Sequence, residues 1–311
     1  MNYRINHRTE YHYAELVDSG YNEARLLPRV VARQVATASA LAIDPLPSDY
    51  RERLDYFGNR VASFSIDQPH QSLIVTATSE VTVEPRSGRL DLFEGESWEN
   101  SRGILMQSSD AEALMARDFV LDSPLVTAQA ALADYAAGSF ARGRSLLESV
   151  HDLMERIHRE FRYDAEFTTL STPLAQVLEH RRGVCQDFAH LAIGCIRSRG
   201  LAARYVSGYI ETLPPPGKPR LVGADASHAW FSVFVPGTGW VDFDPTNNQV
   251  PETQHITVAW GRDYSDVTPL KGIIFGGGSM TMKVAVDVLN LDTVGAPPAA
   301  ESIGGTGGWH A

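Results

Sequence analysis

Two cysteines in 311 residues are too few for a disulfide scaffold or a four-thiolate zinc site. No stretch approaches 18 uninterrupted apolar residues, so no transmembrane helix is expected. The opening Met1-Asn2-Tyr3-Arg4-Ile5-Asn6-His7-Arg8 lacks the apolar centre of a signal peptide. Positive charge is in short supply: 27 Lys and Arg face 38 Asp and Glu, a net charge of −11. Such a chain lacks the basic face that nucleic-acid phosphates require, and an anionic membrane surface repels it. Internal repeats are absent. What remains is 43% apolar and 21% charged, an ordinary globular balance. The length suits one large or two moderate domains. A cytoplasmic protein with neither nucleic-acid nor membrane partner is expected. Its oligomeric state is not readable.

The first 85 residues read as strands. Between 71 and 84, Leu73, Val75, Ala77, Val81 and Val83 hold the odd positions and the even ones are mostly polar. A period of two marks a half-buried strand. Segments near 3–12, 25–43 and 54–66 are similar, with breaks at Gly20, Pro45-Leu46-Pro47 and Gly58-Asn59. An antiparallel β-sandwich over 1–85 is expected. Residues 86–109 are polar and turn-rich, as a linker would be.

Helical signals follow. Ser123-Pro124 reads as an N-cap with an N1 proline, and Gly138 as a stop. Ser145 with Glu148 forms a capping-box pair, after which Leu146, Val150, Leu153, Met154, Ile157 and Phe161 recur at helical spacing. Thr172-Pro173 opens a short helix, and another over 185–199 ends at Gly200. Strands are expected at 203–211, 228–235, 239–244, 256–260 and 280–288. The fold class is therefore α+β. A β domain (1–85) and linker (86–109) precede a core (110–292) whose last strands are free to pack on the first domain. A flexible tail (293–311) rich in Gly, Ala and Pro closes the chain.

Within Arg182-Gly183-Val184-Cys185-Gln186-Asp187-Phe188, a cysteine stands at the start of a helix. The first N–H groups of a helix lack intrahelical partners, and the positive end of its dipole lies there. Both favour a thiolate and a developing oxyanion. The plain alternative is a small buried hydrophobe. Cys195 is ten residues on, roughly 15 Å along a continuous helix, too far for a disulfide. It reads as core.

A cysteine nucleophile needs a base. His190 lies about 140° around the same helix from Cys185 and reads as structural. His228 begins a strand, the turn Pro236-Gly237-Thr238-Gly239 reverses the chain, and Trp240-Val241-Asp242-Phe243-Asp244 returns. An Asp on the return strand could accept the His Nδ1–H. Asp242 and Asp244 share one face; an odd-length loop or a bulge would make it the face of His228. Equally, His228 could be a strand-end polar residue and Asp244 a cap for the turn at Pro245.

Four ordered segments carry a resemblance. They are Gly183-Val184-Cys185-Gln186-Asp187-Phe188-Ala189, Ala203-Arg204-Tyr205-Val206-Ser207-Gly208-Tyr209, Ser227-His228-Ala229-Trp230 and Gly239-Trp240-Val241-Asp242-Phe243-Asp244-Pro245-Thr246-Asn247. Together they closely resemble the bacterial transglutaminase-like superfamily. Tyr11-His12-Tyr13, Asp55-Tyr56-Phe57-Gly58-Asn59 and the strand at 73–83 resemble the β domain that precedes this core in many members. Asp263-Tyr264-Ser265-Asp266-Val267 and Phe275-Gly276-Gly277-Gly278 resemble the end of the same architecture. The likeness spans roughly 1–290.

The resemblance implies a papain-like core: a helix bearing the cysteine, packed on an antiparallel sheet bearing His and Asp. It implies Cys185 as nucleophile, His228 as base and Asp244 as orienting acid, with Asp242 as runner-up. The substrate is then a peptide or protein amide, attacked to give a thioester. Water as second acceptor makes the protein a cysteine protease or amidase, the favoured reading. A glutamine substrate with an amine acceptor would make it a transglutaminase. A non-catalytic peptide binder is the third reading. Animal cross-linking relatives require calcium, but no Asp/Asn-rich loop with ligand spacing occurs here, so neither metal nor cofactor is expected. The Cys185 N–H serves the oxyanion. The Tyr163 phenol is a possible second donor, or a core aromatic. Tyr209, Trp230 and Trp240 either line the cleft or pack. Asp225 and the proline-rich loop 213–218 could edge it.

Overall fold

The computed structural model describes residues 1–88, 90–168, 172–211 and 227–293. The loop 213–218, Asp225 and nearly all of the tail expected from 293 lie outside the described residues.

Strand β1 (Asn2–Ala24) is a 23-residue spine. It is followed by β2 (Gln34–Asp44), β3 (Asp49–Leu54), β4 (Arg60–Ile66) and β5 (His70–Val83). The first half of β1 pairs with β5, with Tyr3 opposite Val81; its second half pairs with β4, with Gly20 opposite Ile66. Strand β2 extends the sheet beside β5, and β3 beside β4. The inward residues of β1 are odd-numbered from Tyr3 to Val17 and even-numbered from Gly20 to Ala24. The phase changes at a register shift between Val17 and Ser19. The sheet therefore folds over, and Phe64 and Ile66 of β4 share a core with Leu73 and Val75 of β5. The halves face each other as sandwich layers do, although the hydrogen bonding is continuous. Gly20, read as a break, lies inside β1.

The stretch read as a linker carries helix α1 (Trp98–Gln107), capped by Ser97, whose Oγ accepts from Asn100 N at 3.2 Å. Its Leu105 is buried with Phe119 and Phe234, so the segment is part of the core domain. Helices α2 (Ala111–Ala116) and α3 (Ala130–Ala137) follow. Ser123-Pro124 does not open α3. Ser123 closes a tight turn with Val126, and its Oγ accepts from Arg197 Nη1 at 3.0 Å rather than capping a helix. Helix α4 (Leu146–Glu160) starts at Ser145 as its capping pair predicts, and buries Val150, Leu153, Met154 and Ile157.

Strand β6 (Arg162–Tyr163), helix α5 (Leu174–His180) and strand β7 (Arg182–Gly183) lead into α6 (Cys185–Arg197). The second sheet comprises β8 (Ala203–Ile210), β9 (Ser227–Val235), β10 (Gly239–Phe243) and β11 (His255–Gly261), in the antiparallel order β10-β9-β8-β11. Phe188, Leu191, Ala192 and Ile196 of α6 share one core with Tyr205, Phe231 and Val233.

After the short α7 (Tyr264–Val267), strands β12 (Leu270–Gly276) and β13 (Met280–Asn290) return to β1. Strand β12 lies along its second half and β13 along its first, with Tyr3 opposite Asn290. Tyr3, Ile5, Val81, Val286 and Val288 enter the same hydrophobic core as α6, so the two sheets share one interior. The alternation in β13 reaches that interior only at Val286 and Val288; Met280, Met282 and Val284 overhang it and are exposed. The free edge of β11 is met by two amide side chains. Gln34 accepts from Thr257 N at 2.8 Å and donates to Thr257 O at 2.7 Å, and Asn59 treats Trp260 in the same way at 2.9 and 2.8 Å. They satisfy backbone groups that an edge strand otherwise leaves open. Among the described residues no helix is long and apolar enough to cross a membrane.

Candidate active site

Cys185 is the first residue of α6. Asp187 shapes the turn before it: its Oδ2 accepts from Val184 N at 2.8 Å and from Thr168 Oγ1 at 2.7 Å. Gly183 makes room for this fold-back, since a Cβ there would lie 2.8 Å from Asp187 Cβ. The local sequence is thus a device for beginning a helix at a cysteine. The leading N–H groups of α6 have no partner within the helix, and the dipole's positive end faces the thiol. Cys185 is half-buried. Cys195 is wholly buried, and burial pushes its thiol up to about 12.

The hairpin joining β9 to β10 turns through three residues, with Val235 opposite Gly239 and left-handed backbone at Gly237 (φ +81°) and Gly239 (φ +89°). This odd loop puts Asp242 and Asp244 on the face of His228. Asp242 is engaged by Ser232 Oγ. Asp244, wholly buried, accepts from His228 Nε2 at 2.8 Å.

Four further donors converge on Asp244. His255 Nε2 and Asn247 Nδ2 reach Oδ2 at 2.9 and 2.7 Å. The backbone N–H groups of Thr246 and Asn247 reach Oδ1 at 3.0 and 3.2 Å. Burial alone would raise the pKa of this carboxyl. The hydrogen bonds from His228 and His255 reverse that and hold it well below the usual carboxylate range. His228 shows the reciprocal balance. Burial opposes its charge, but Asp244 and then Cys185 raise the imidazole to about 10. It keeps its proton at neutral pH. Nε2 rather than Nδ1 serves Asp244, the reverse of the nitrogen assignment expected from the sequence.

The other predicted residues fall unevenly. Tyr163 is not a core aromatic: its side chain is 55% exposed, edge-on to Phe188, and burial followed by the neighbouring Cys185 raises its pKa. Tyr209 and Trp230 are 2% and 0% exposed and offer no surface to a substrate. The Tyr209 hydroxyl pairs with His7 Nδ1 at 3.0 Å, tying β8 to β1, and Trp230 packs edge-on against His255. Packing explains both. His190 is buried, accepts from Tyr264 N at 3.1 Å, and is lowered to about 4 by burial.

His255 and Asn247 were given no role by sequence reasoning. Asn247 lies inside a quoted motif and could have been found as a turn residue beside the acid. His255 carries no signal beyond opening a strand. The donor atoms of His228, Asp244 and His255 lie within 4.8 Å of one another, a set able to hold a metal ion. Here both imidazole Nε2 atoms are hydrogen-bonded to the carboxylate, which accounts for the cluster without one.

Comparison with known proteins agrees with this architecture. Residues 3–82 match the bacterial transglutaminase-like N-terminal region. Residues 133–245 match the transglutaminase-like superfamily and include Cys185, His228 and Asp244. An uncharacterized protein of Mycobacterium tuberculosis is 43% identical over 297 residues, covering 93% of each chain. A protein-glutamine gamma-glutamyltransferase of Pseudomonas aeruginosa is 31% identical over 51% of this chain and 25% of its own. In fold, a candidate cysteine protease of Cytophaga hutchinsonii superposes with a TM-score of 0.72 at 20% identity, covering 94% of this chain and 91% of the other. Two ordered family matches, a near full-length relative and a shared fold therefore place this chain in the bacterial transglutaminase-like superfamily.

Proposed function

We propose that the protein is a cysteine-dependent acyl-transfer enzyme that hydrolyses amide bonds in peptides or proteins. One observation carries this reading: a half-buried cysteine at a helix N-terminus neighbours an imidazole that is hydrogen-bonded to a buried carboxylate. Cys185 reacts through its thiolate, the nucleophilic form of the residue. The thiolate attacks the substrate carbonyl. The Cys185 N–H, with the exposed Tyr163 phenol beside it, donates to the oxyanion. His228 gives its proton to the leaving amine, and a thioester remains. The imidazole, now neutral, takes a proton from water, which attacks the thioester and releases the acid and the thiolate. The name borne by the Cytophaga hutchinsonii protein supports hydrolysis. The name of the Pseudomonas aeruginosa relative supports a second reading, in which an amine replaces water.

Incubation with a glutamine-containing peptide, with and without a fluorescent amine, separates the two. Release of free acid should exceed amine incorporation; the opposite ratio establishes the transamidation reading instead. Alkylation tests the nucleophile directly. At pH 7, iodoacetamide should label Cys185 at least about 100-fold faster than Cys195, because only thiolate reacts. Mass spectrometry of labelled peptides reads the ratio, and comparable slow labelling of both thiols would remove the basis for catalysis.

A further inference from the structure

The face of the β8–β11 sheet turned away from α6 forms one wall of a deep cavity of about 1460 Å³. Residues 30–34 after β1, residues 86–88 and residues 90, 91 and 94–96 supply other walls. Neither Cys185 nor His228 lines it, although His255, hydrogen-bonded to Asp244, does. Arg204 of β8 does, and its situation is unusual. It is only 7% exposed, yet among the described residues its guanidinium makes no hydrogen bond and no ion pair. Its Nε is buried without a partner. The guanidinium stands between two indoles, 4.2 Å from the centre of Trp240 and 3.6 Å from that of Trp260. On the far side of Trp260 lies a second guanidinium, that of Arg29, at 3.2 Å. A third, Arg33, also lines the cavity, and its Nη1 is likewise buried without a partner.

Stacking on indoles is attractive for a guanidinium but satisfies none of its N–H groups. Burying a cation that lacks an anion is costly, and bringing other guanidinium groups near it adds to the cost. Burial and the nearby Arg29 both depress the pKa of Arg204, while Asp242 opposes them without pairing with it. A planar donor fork held rigid by aromatic walls and aimed into a cavity suits a carboxylate. Seven carboxylates, Asp242, Glu112 and Glu252 among them, line the same cavity against the guanidinium groups of Arg33, Arg86 and Arg204. They disfavour a doubly charged phosphate and favour a ligand that carries an ammonium group beside its carboxylate, as a free peptide does. The volume exceeds what one amino acid needs and suits several residues of peptide.

We propose that this cavity is a second binding site, which takes the free carboxylate of a short peptide on Arg204, with Arg33 as a further donor. The inference does not depend on the catalytic reading, since the site stands apart from Cys185.

Thermal melting of the full chain tests it with three probes: Phe-Ala-Phe as the free acid, the same peptide as its C-terminal amide, and inorganic phosphate. At saturation the free acid should raise the melting temperature by about 2–4 °C, as ligand linkage requires, and quench tryptophan emission from Trp240 and Trp260. The amide and phosphate should do neither. Arg204→Met should abolish the shift. If that variant fails to fold, Arg204→Lys is measured instead, and should cut the shift at least twofold because a point charge replaces the fork. The proposal is overturned by no shift with the free acid, by an equal shift with amide or phosphate, or by an undiminished shift in the Arg204 variant. A guanidinium that serves only to stack on its indoles gives the first of these results.

Discussion

Cys185→Ala should lower amide hydrolysis by about 10⁶-fold while leaving the melting temperature within about 3 °C of the parent. The first expectation follows from the chemistry. No other described thiol can replace the nucleophile, because Cys195 is wholly buried and its own pKa stands near 12. The second follows from the packing. Cys185 is half-buried at the first turn of α6, and the structure around it is held by Asp187, Thr168 and Val184 through contacts that do not involve sulfur. Loss of one exposed-edge sulfur leaves those bonds intact. Steady-state hydrolysis and a thermal melt on the same preparation check both. A variant that retains more than about one per cent of parental turnover would show that the sulfur is not the nucleophile.

Asp244→Asn should produce the next largest loss, about 10³- to 10⁴-fold in kcat/KM, together with a shift in pH dependence. An asparagine in this position keeps an acceptor for one imidazole but brings no negative charge to His228 and His255. The raised pKa of His228, about 10, depends on that charge. Without it the imidazolium is lost at lower pH, so the alkaline limb of kcat/KM should move from near 10 towards the ordinary value of 6.5. Stability follows the same linkage. His228 has a folded pKa above its unfolded one; its contribution is complete below 6.5 and is lost as the pH rises through about 10. Asp244 has a folded pKa below its unfolded value of 3.8; its contribution is present above 3.8 and is lost as the pH falls through the depressed value. The variant should therefore lose stability most between these limits. An unmoved alkaline limb, or a larger defect in Asp242→Asn, would transfer the orienting role away from Asp244.

Much of the candidate site was readable because its parts lie in short local patterns. Cys185 follows a glycine turn and opens a helix, and Asp244 directly follows the return strand of a hairpin whose two glycines allow a three-residue loop. Helix α4 was readable for a similar reason, since Ser145 and the apolar spacing after it are local. Ser123-Pro124 misled because the serine's partner, Arg197, is 74 residues away. Tyr209 and Trp230 look like cleft aromatics in sequence, but their environments are set by His7 and His255, which arrive from other strands. His255 itself was illegible: it meets His228 through a shared oxygen of Asp244 and a tilted ring contact at 6.0 Å, and nothing in its neighbours announces that meeting. Alternation in 280–288 marked a strand but could not say where along it the interior ends.

The long first strand has a consequence for how the molecule is made. Its opening half is flanked on one edge by residues 72–82, available early, and on the other by residues 280–290, synthesised more than 250 residues afterwards. Until those emerge from the ribosome, the Tyr3-to-Tyr13 edge waits with unsatisfied amides, and the interior that Val286 and Val288 complete stays open to water. Closure of that seam is a late, high-contact-order event, so nascent chains halted before residue 280 should be the species that chaperones engage.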